Sequence, residues 1–475
     1  MIASTLGTKG GSIPARPSPR AGGAAVWRDS GDAAVRVEEW QSEFAPDKDD
    51  AGVPQTAEAK AQPPRIVQRI DDRDPQRANR QALEDLDQGA SGIAIVFEGA
   101  PNAFGYGLPA QAEALTAALA DIPLARTHLR LDLHPHSRAS VDWLVRILGE
   151  RKIDPSRLDI SFGIDPAAIF AGTGRLRMSI EALLASMPQS LAHFFALGVP
   201  GILLEADGRV FHNSGATAAQ ELGIMLASAK TYLRMFEEAR QPVLYAAAHI
   251  GFAVSVDQEH AASVAKVRAL RALWSRLLDE YSVPDMPAVI HAETSYRMLT
   301  VRDPESNVLR NTIACFSAMR AGADSISVIP HTQPHGLPDA QARRIARNTP
   351  LVLSHEGGAY LPADAATPDT EIDALAAPLV EAAWSEFQTI ETEGGVLRSV
   401  LDGRIQQRIA EARELTAASM RDGDKALIGT TLHRASEHPA VSSLPAQPEA
   451  MPTDGTIFCE QLPVLRLDEL LGEAA

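Results

Sequence analysis

The chain carries only two cysteines, Cys315 and Cys459, in 475 residues. So few exclude a disulfide framework and any multi-cysteine metal site. Basic residues are in deficit too: 44 Lys and Arg stand against 61 Asp and Glu, a net charge of −17. Nucleic acids and anionic membranes are recognised by basic faces, so neither is expected as a partner. No apolar run approaches the ~20 residues of a membrane-spanning helix. No G-x-G-x-x-G or Walker-type loop follows an apolar run, and no G-x-S-x-G elbow occurs, which removes the usual marks of a nucleotide-binding sheet and a serine hydrolase. What remains, 45% hydrophobic and 22% charged residues, describes a soluble chain with a large core, and a cytoplasmic location is expected.

Residues 1–64 read as a disordered or extended N-terminal arm. The opening MIASTLGTKGGSIPARPSPRAGG is rich in Gly, Pro and Ser, and such a composition buries too little apolar area to offset chain entropy. The first 28 residues hold Lys and Arg but no acid, as organellar transit peptides do, yet prolines interrupt any amphipathic face. Within the arm, Val35–Phe44 (VRVEEWQSEF) has the spacing of a short amphipathic helix.

From Arg65 the pattern alternates. Short β-rich runs are predicted at Ile93–Phe97, Leu129–Leu133, Leu158–Phe162, Ile202–Leu204, Leu244–Ile250, Ala288–Ile290 and Ser325–Ile329, with Leu351–Leu353 as an eighth. Helical periodicity separates them, most clearly over Ala261–Tyr281 and Ile372–Glu393. About eight strand–helix repeats over ~290 residues point to an α/β fold, a (β/α)8 TIM barrel rather than a doubly wound sheet. The barrel is placed at 65–415, followed by a linker and tail at 416–475. The closing LPVLRLDELLGEAA is apolar enough to dock.

Candidate chemistry is sparse. His134, His136, His249, His291 and His331 fall at or near predicted strand ends, with Asp132, Glu205 and Glu293 as carboxylate companions. In a barrel such a set would suit a metal hydrolase, or simply polar residues bonding among themselves. Arg175 and Arg177 (GTGRLRM) would suit a phosphate or carboxylate, or a solvated helix start. Cys315, in the helical stretch TIACFSAM, reads as core, and Trp143, Trp274 and Trp384 as packing.

Several stretches resemble the methylmalonyl-CoA mutase family. Arg65–Glu98 is similar to the start of that family's barrel. His212–Leu222 (HNSGATAAQEL) resembles its G-Y-H…G-A-T-A-x-Q-E-L element, and Ala265–Leu277 (AKVRALRALWSRL) its A-K-x-R-A-A-R-x-L-W-A-R helix. His291–Thr312 resembles H-C-Q-T-S…L-T…D-P-x-N-N-V-V-R-T, Ile345–Leu353 (IARNTPLVL) resembles I-A-R-N-T-Q-x-x-L, and Ala426–Gly429 (ALIG) resembles the segment closing the barrel. The resemblance implies a barrel that uses adenosylcobalamin to interconvert methylmalonyl-CoA and succinyl-CoA by a radical route, with coenzyme A threaded along the axis. It also implies a separate cobalamin-binding domain carrying D-x-H-x-x-G.

Departures from that pattern narrow the reading. Arg69 stands where the family has its catalytic tyrosine, Val289 replaces a substrate-contacting arginine, and Glu293 replaces a glutamine. His212 resembles the catalytic histidine but lies three residues before Gly215, closer than in catalytic members. The sequence closes at Ala475 without D-x-H-x-x-G, so no cobalamin-binding domain is expected; the near match at Asp132–Ser137 lacks the glycine. Large branched residues in Ile93–Phe97 and Leu129–Leu133 are expected to fill the barrel. The pattern resembles the small (β) subunit of the heterodimeric enzymes, which implies a noncatalytic support for a large catalytic subunit. No cofactor would then be bound by this chain alone; adenosylcobalamin would belong to the assembled heterodimer. The alternative is an active acyl-CoA mutase barrel using cobalamin held by a separate subunit. On either reading, Trp40 and Phe44 in the arm are the candidate interface anchors.

Overall fold

Side-chain alternation along eight short parallel strands sets the architecture. The computed structural model describes residues 63–198, 200–359, 370–434, 440–448 and 453–474. The N-terminal arm with Trp40 and Phe44 lies outside the described residues. The strands are β1 (Arg65–Ile70), β2 (Gly92–Ile95), β3 (His128–Leu131), β4 (Asp159–Phe162), β5 (Leu204–Asp207), β6 (Ile250–Val256), β7 (Val289–Thr294) and β8 (Ser325–Ser327). They are ordered β4-β3-β2-β1-β8-β7-β6-β5 and all pair in parallel. Between β4 and β5 the ring closes through a single bridge. Phe162 N donates to the Ile202 carbonyl at 2.8 Å, and Ile202 N returns to the Ile160 carbonyl at 3.2 Å. The fold is a (β/α)8 barrel.

Helices α1 (Pro75–Asp87), α2 (Ala112–Ala118), α3 (Ser137–Arg151), α4 (Ile180–Ala196), α5 (Ala218–Glu238), α6 (His260–Glu280), α7 (Pro304–Arg320) and α8 (Ala340–His355) form the outer ring. A further helix, α9 (Thr370–Thr392), packs across α5 and α6, as the absent side chain of Gly223 allows: a Cβ there would sit 2.8 Å from the Ala383 carbonyl. A last long helix, α10, spans Arg404–Asp422. Beyond it the chain returns over the C-terminal ends of the strands. Ile457–Phe458 pairs with Arg175–Leu176, and the amides of Leu462, Leu465 and Leu467 donate to the carbonyls of Ala171, Asn213 and Arg297. Leu462 and Leu467 are buried, so the apolar closing segment docks.

Three expectations need correction. Leu244–Ile250 is not a strand: a short helix occupies Val243–Ala247 and β6 begins at Ile250. Leu351–Leu353 lies inside α8, a helix that starts at Ala340 behind an Asp339 cap whose side chain accepts from Ala342 N. The eighth strand is β1, whose Arg and Gln residues disguise it as polar. The barrel filling also differs. Arg69, Ala94, Arg130 and Ser161 share one register line around the ring. Arg130 reaches Glu205 across non-neighbouring strands, so this set faces the axis. Residues one position away therefore face out. Ile93, Ile95, Leu129 and Leu131 join the core between sheet and helices. The branched residues pack the outside of the barrel, and small or charged ones line its inside.

Gly201 precedes the closing bridge with φ +84°, and a Cβ there would overlap the Ile160 carbonyl oxygen. Gly201→Ala is expected to destabilise the protein by more than ~1 kcal/mol, through both the left-handed backbone and the displaced β4. Urea unfolding measures this, and a variant as stable as the parent would place the barrel closure elsewhere.

Candidate functional site

Charged residues at alternate positions of buried strands all reach the axis. From β1 and β7, Arg69 Nη1 donates to Glu293 Oε2 at 2.9 Å, and Arg69 Nη2 to the Asn102 carbonyl at 2.7 Å. From β3 and β5, Arg130 Nη1 donates to Glu205 Oε2 at 2.6 Å and Arg130 Nη2 to Asp132 Oδ1 at 3.1 Å. Arg209, opening the short helix Arg209–Asn213 after β5, joins the two halves. It donates to Asp132 at 2.5 Å and Asp207 at 2.6 Å, and lies 3.4 Å from Glu293. Three guanidiniums thus face Asp132, Glu205, Asp207 and Glu293, and none of the seven is more than 2% exposed.

Electrostatics follows from this packing. Burial favours neutral Arg209, but the Asp132, Asp207 and Glu293 carboxylates outweigh it and hold the guanidinium well above its ordinary pKa. Burial likewise opposes ionised Asp132, and Arg209 and Arg130 pull it well below the carboxylate range. Glu205 goes the other way: burial raises it, and Arg130 only partly compensates. Removing one partner from such a network leaves an uncompensated buried charge, at a cost of about 3–5 kcal/mol.

A second cluster hangs from the far side of the same short helix. Thr217 caps α5, its hydroxyl accepting from Gln220 N while the Gln220 side chain accepts from Thr217 N. That capping box explains the T-A-x-Q spacing in physical terms. It delivers Glu221 to His212, whose Nδ1 donates to Glu221 Oε2 at 3.2 Å because a carboxylate only accepts. Nε2 then accepts from the Ser295 hydroxyl at 2.8 Å. Lys266 of α6 donates to Glu221 at 2.7 Å, and Arg297 donates to the His212 and Ala216 carbonyls. Burial, helped by Arg297 and Lys266, lowers His212 to about 4. Glu221, despite its burial, is held by Lys266 and His212 at about 2. The imidazole is a neutral, fully bonded strut. A cavity of about 190 Å³ lies beside it.

The other sequence candidates do not meet. His249 sits before β6 and bonds the Gly201 carbonyl, whereas His291, in the first half of β7, bonds Ser325. Both belong to the strands' starts, because β6 begins and β7 extends later than expected. His134 bonds Ser140, and His136 lies against Arg177. His331 follows β8. Among the described residues, no three His, Cys, Asp or Glu side chains converge on a metal position. Cys315 is fully buried in α7, and burial pushes its thiol up. Trp274 and Trp384 are buried packing residues. Arg130, Asp207 and Arg209 were missed. For Arg130 and Asp207 the signal is alternation itself, L-R-L-D-L across β3 and the two residues after it and L-E-A-D in β5, where polar positions between buried apolar ones mark an inward face.

The family model for methylmalonyl-CoA mutase matches residues 54–453. The chain belongs to the methylmalonyl-CoA mutase family. It is 32% identical to a methylmalonyl-CoA mutase small subunit from Streptomyces virginiae, over 86% of this chain and 63% of that protein. To the small subunit from Propionibacterium freudenreichii subsp. shermanii it is 31% identical, over 70% of this chain and 50% of that one. To the large subunit of the same organism it is 28% identical, over 54% and 35% respectively. The chain therefore spans about half to two thirds of these small subunits. The family segments now have contacts. Those holding His212, Lys266 and Ser295 build the second cluster, Arg310 donates to the Ile428 carbonyl of ALIG, and Arg347 of IARNT pairs with Asp85 of α1.

Since His212 titrates near 4 when folded and 6.5 when unfolded, its contribution is complete above pH 6.5 and is lost as pH falls toward 4. The unfolding free-energy advantage of wild type over His212→Gln should shrink by roughly 2 kcal/mol between pH 7 and pH 5. Urea titrations of both proteins at the two pH values measure it. A constant difference would mean that His212 is not buried neutral.

Proposed function

We propose that this chain is a noncatalytic small subunit of a methylmalonyl-CoA mutase, supporting a large catalytic subunit. The observation that carries the reading is the axial network of Arg69, Arg130 and Arg209 with its carboxylates. A family barrel is expected to thread coenzyme A along its axis, and here the axis holds seven buried charged side chains. Arg69, at the position resembling the catalytic tyrosine, is one of them. Glu293, where the family has a glutamine, is paired with Arg69 and Arg209. Val289 sits at the start of β7, away from the C-terminal face where barrel enzymes work. That face is covered by the Phe104–Tyr296 stack and by Leu462–Leu467.

The residues present do not fit adenosylcobalamin. Asp132 is gripped by two arginines and His134 bonds Ser140, with burial lowering the imidazole to about 3. In the assembled enzyme the cofactor, source of the radical, would be held by the large subunit. An active barrel borrowing cobalamin would need an open axis, and the buried charged network speaks against one. Trp40 and Phe44 remain the proposed anchors on the large subunit, since aromatic side chains dominate interface energies. Among the described residues no helix is long and apolar enough to cross a membrane, and a cytoplasmic heterodimer is the proposed setting.

Titrating the purified chain with adenosylcobalamin while following the visible spectrum tests the reading. Micromolar concentrations should produce no saturable change. A stoichiometric spectral shift would overturn the noncatalytic assignment.

A further inference from the structure

The axial arginines are all paired, but another buried arginine is not. Arg175 is only 7% exposed, and its guanidinium makes no hydrogen bond or ion pair with any described residue. Its backbone is fixed by pairing with Phe458, and its stem packs against Gly455. Burial pushes the guanidinium below its ordinary pKa, with Asp454 opposing incompletely. The nearest acid, Asp454, is engaged by Arg177 at 3.0 Å. Among the described residues the guanidinium has no counter-charge of its own, and it opens onto a cavity in which an anion would meet it.

Arg175 lines a cavity of about 390 Å³ between α3, the helix Pro166–Thr173 and α4. This cavity lies outside the barrel wall. His134, on its edge, packs its ring against Phe97 at 4.5 Å, and Phe97 belongs to the outer core. Arg177 and His136 stand beside Arg175, and Arg138 lies at the rim. The opposite wall is apolar, formed by Ile169, Leu183 and Met187. Two carboxylates also line the space. Asp165 is turned to the amides of Ala167, Ala168 and Asp207, and Asp142 lies within reach of His193. They would disfavour a dianion, and the apolar wall would be wasted on a free inorganic ion.

We propose that this cavity binds a small aliphatic monocarboxylate, its head on Arg175 and its tail along Ile169, Leu183 and Met187. The volume is at the small end of the ~300–1,000 Å³ range of ligand pockets, room for a tail of roughly six to ten carbons. This site is separate from the barrel axis and does not depend on the subunit's proposed role.

Calorimetric titration of the full chain with octanoate, with octan-1-ol as the uncharged probe, tests it. Octanoate should bind saturably at one site, at least tenfold more tightly than octanol. Arg175→Gln should weaken octanoate tenfold or more and leave octanol unchanged. Ser186→Phe, which fills the cavity from half-exposed α4, should abolish both. Absence of saturable octanoate binding, equal affinity for the two probes, or unaltered octanoate binding in Arg175→Gln would each overturn the proposal. Should Arg175→Gln fail to fold, the probe comparison and Ser186→Phe decide the matter.

Discussion

A guanidinium deprived of water must find a carboxylate, and much of this barrel is arranged around that requirement. Arg209 meets Asp132 just past β3, Asp207 of β5 and Glu293 of β7 at one point. It thereby ties three strands that are not neighbours in the ring. Small inward residues elsewhere, such as Gly92, Ala94, Gly251 and Ala253, leave the room that these long side chains fill. An ionic core of this kind is weak evidence for net stability, because desolvation offsets most of the Coulomb gain. Its effect is geometric: the charges interlock across the axis, and moving one of them away would leave its partner's charge bare.

The same physics separates what was legible in the sequence from what was not. Strand–helix alternation was readable because outward faces are apolar and helices are periodic, and that sufficed for the barrel. The direction of each face was not. Ile93, Leu129 and Leu131 look alike whether they point to the axis or to the helices; only Arg130 and Asp132 between them reveal the choice. β1 hid for the same reason, since Arg69 and Gln68 interrupt its apolar run. Leu351–Leu353 imitated a strand because three apolar residues carry no period, while the Asp339 cap far upstream decided for helix.

Family segments were recognisable without their roles being so. HNSGATAAQEL, AKVRALRALW and the Ser295–Arg297 stretch meet in one buried cluster in which His212 is bonded on both ring nitrogens. Such a histidine holds elements in place. Persistence of the segments in a chain whose axis is blocked is what scaffold residues would show, which fits the noncatalytic role proposed. Spacing alone could not separate a strut from a catalyst, because both are a histidine close to a glycine turn.

Succinyl-CoA titrated into the full chain by calorimetry tests the closed axis most directly. With Arg69, Arg130 and Arg209 locked to their carboxylates, the titration should show no saturable heat at micromolar concentrations. Stoichiometric binding, weakened by a bulky substitution at Ala94 on the axis, would contradict the closed barrel and the noncatalytic role built on it.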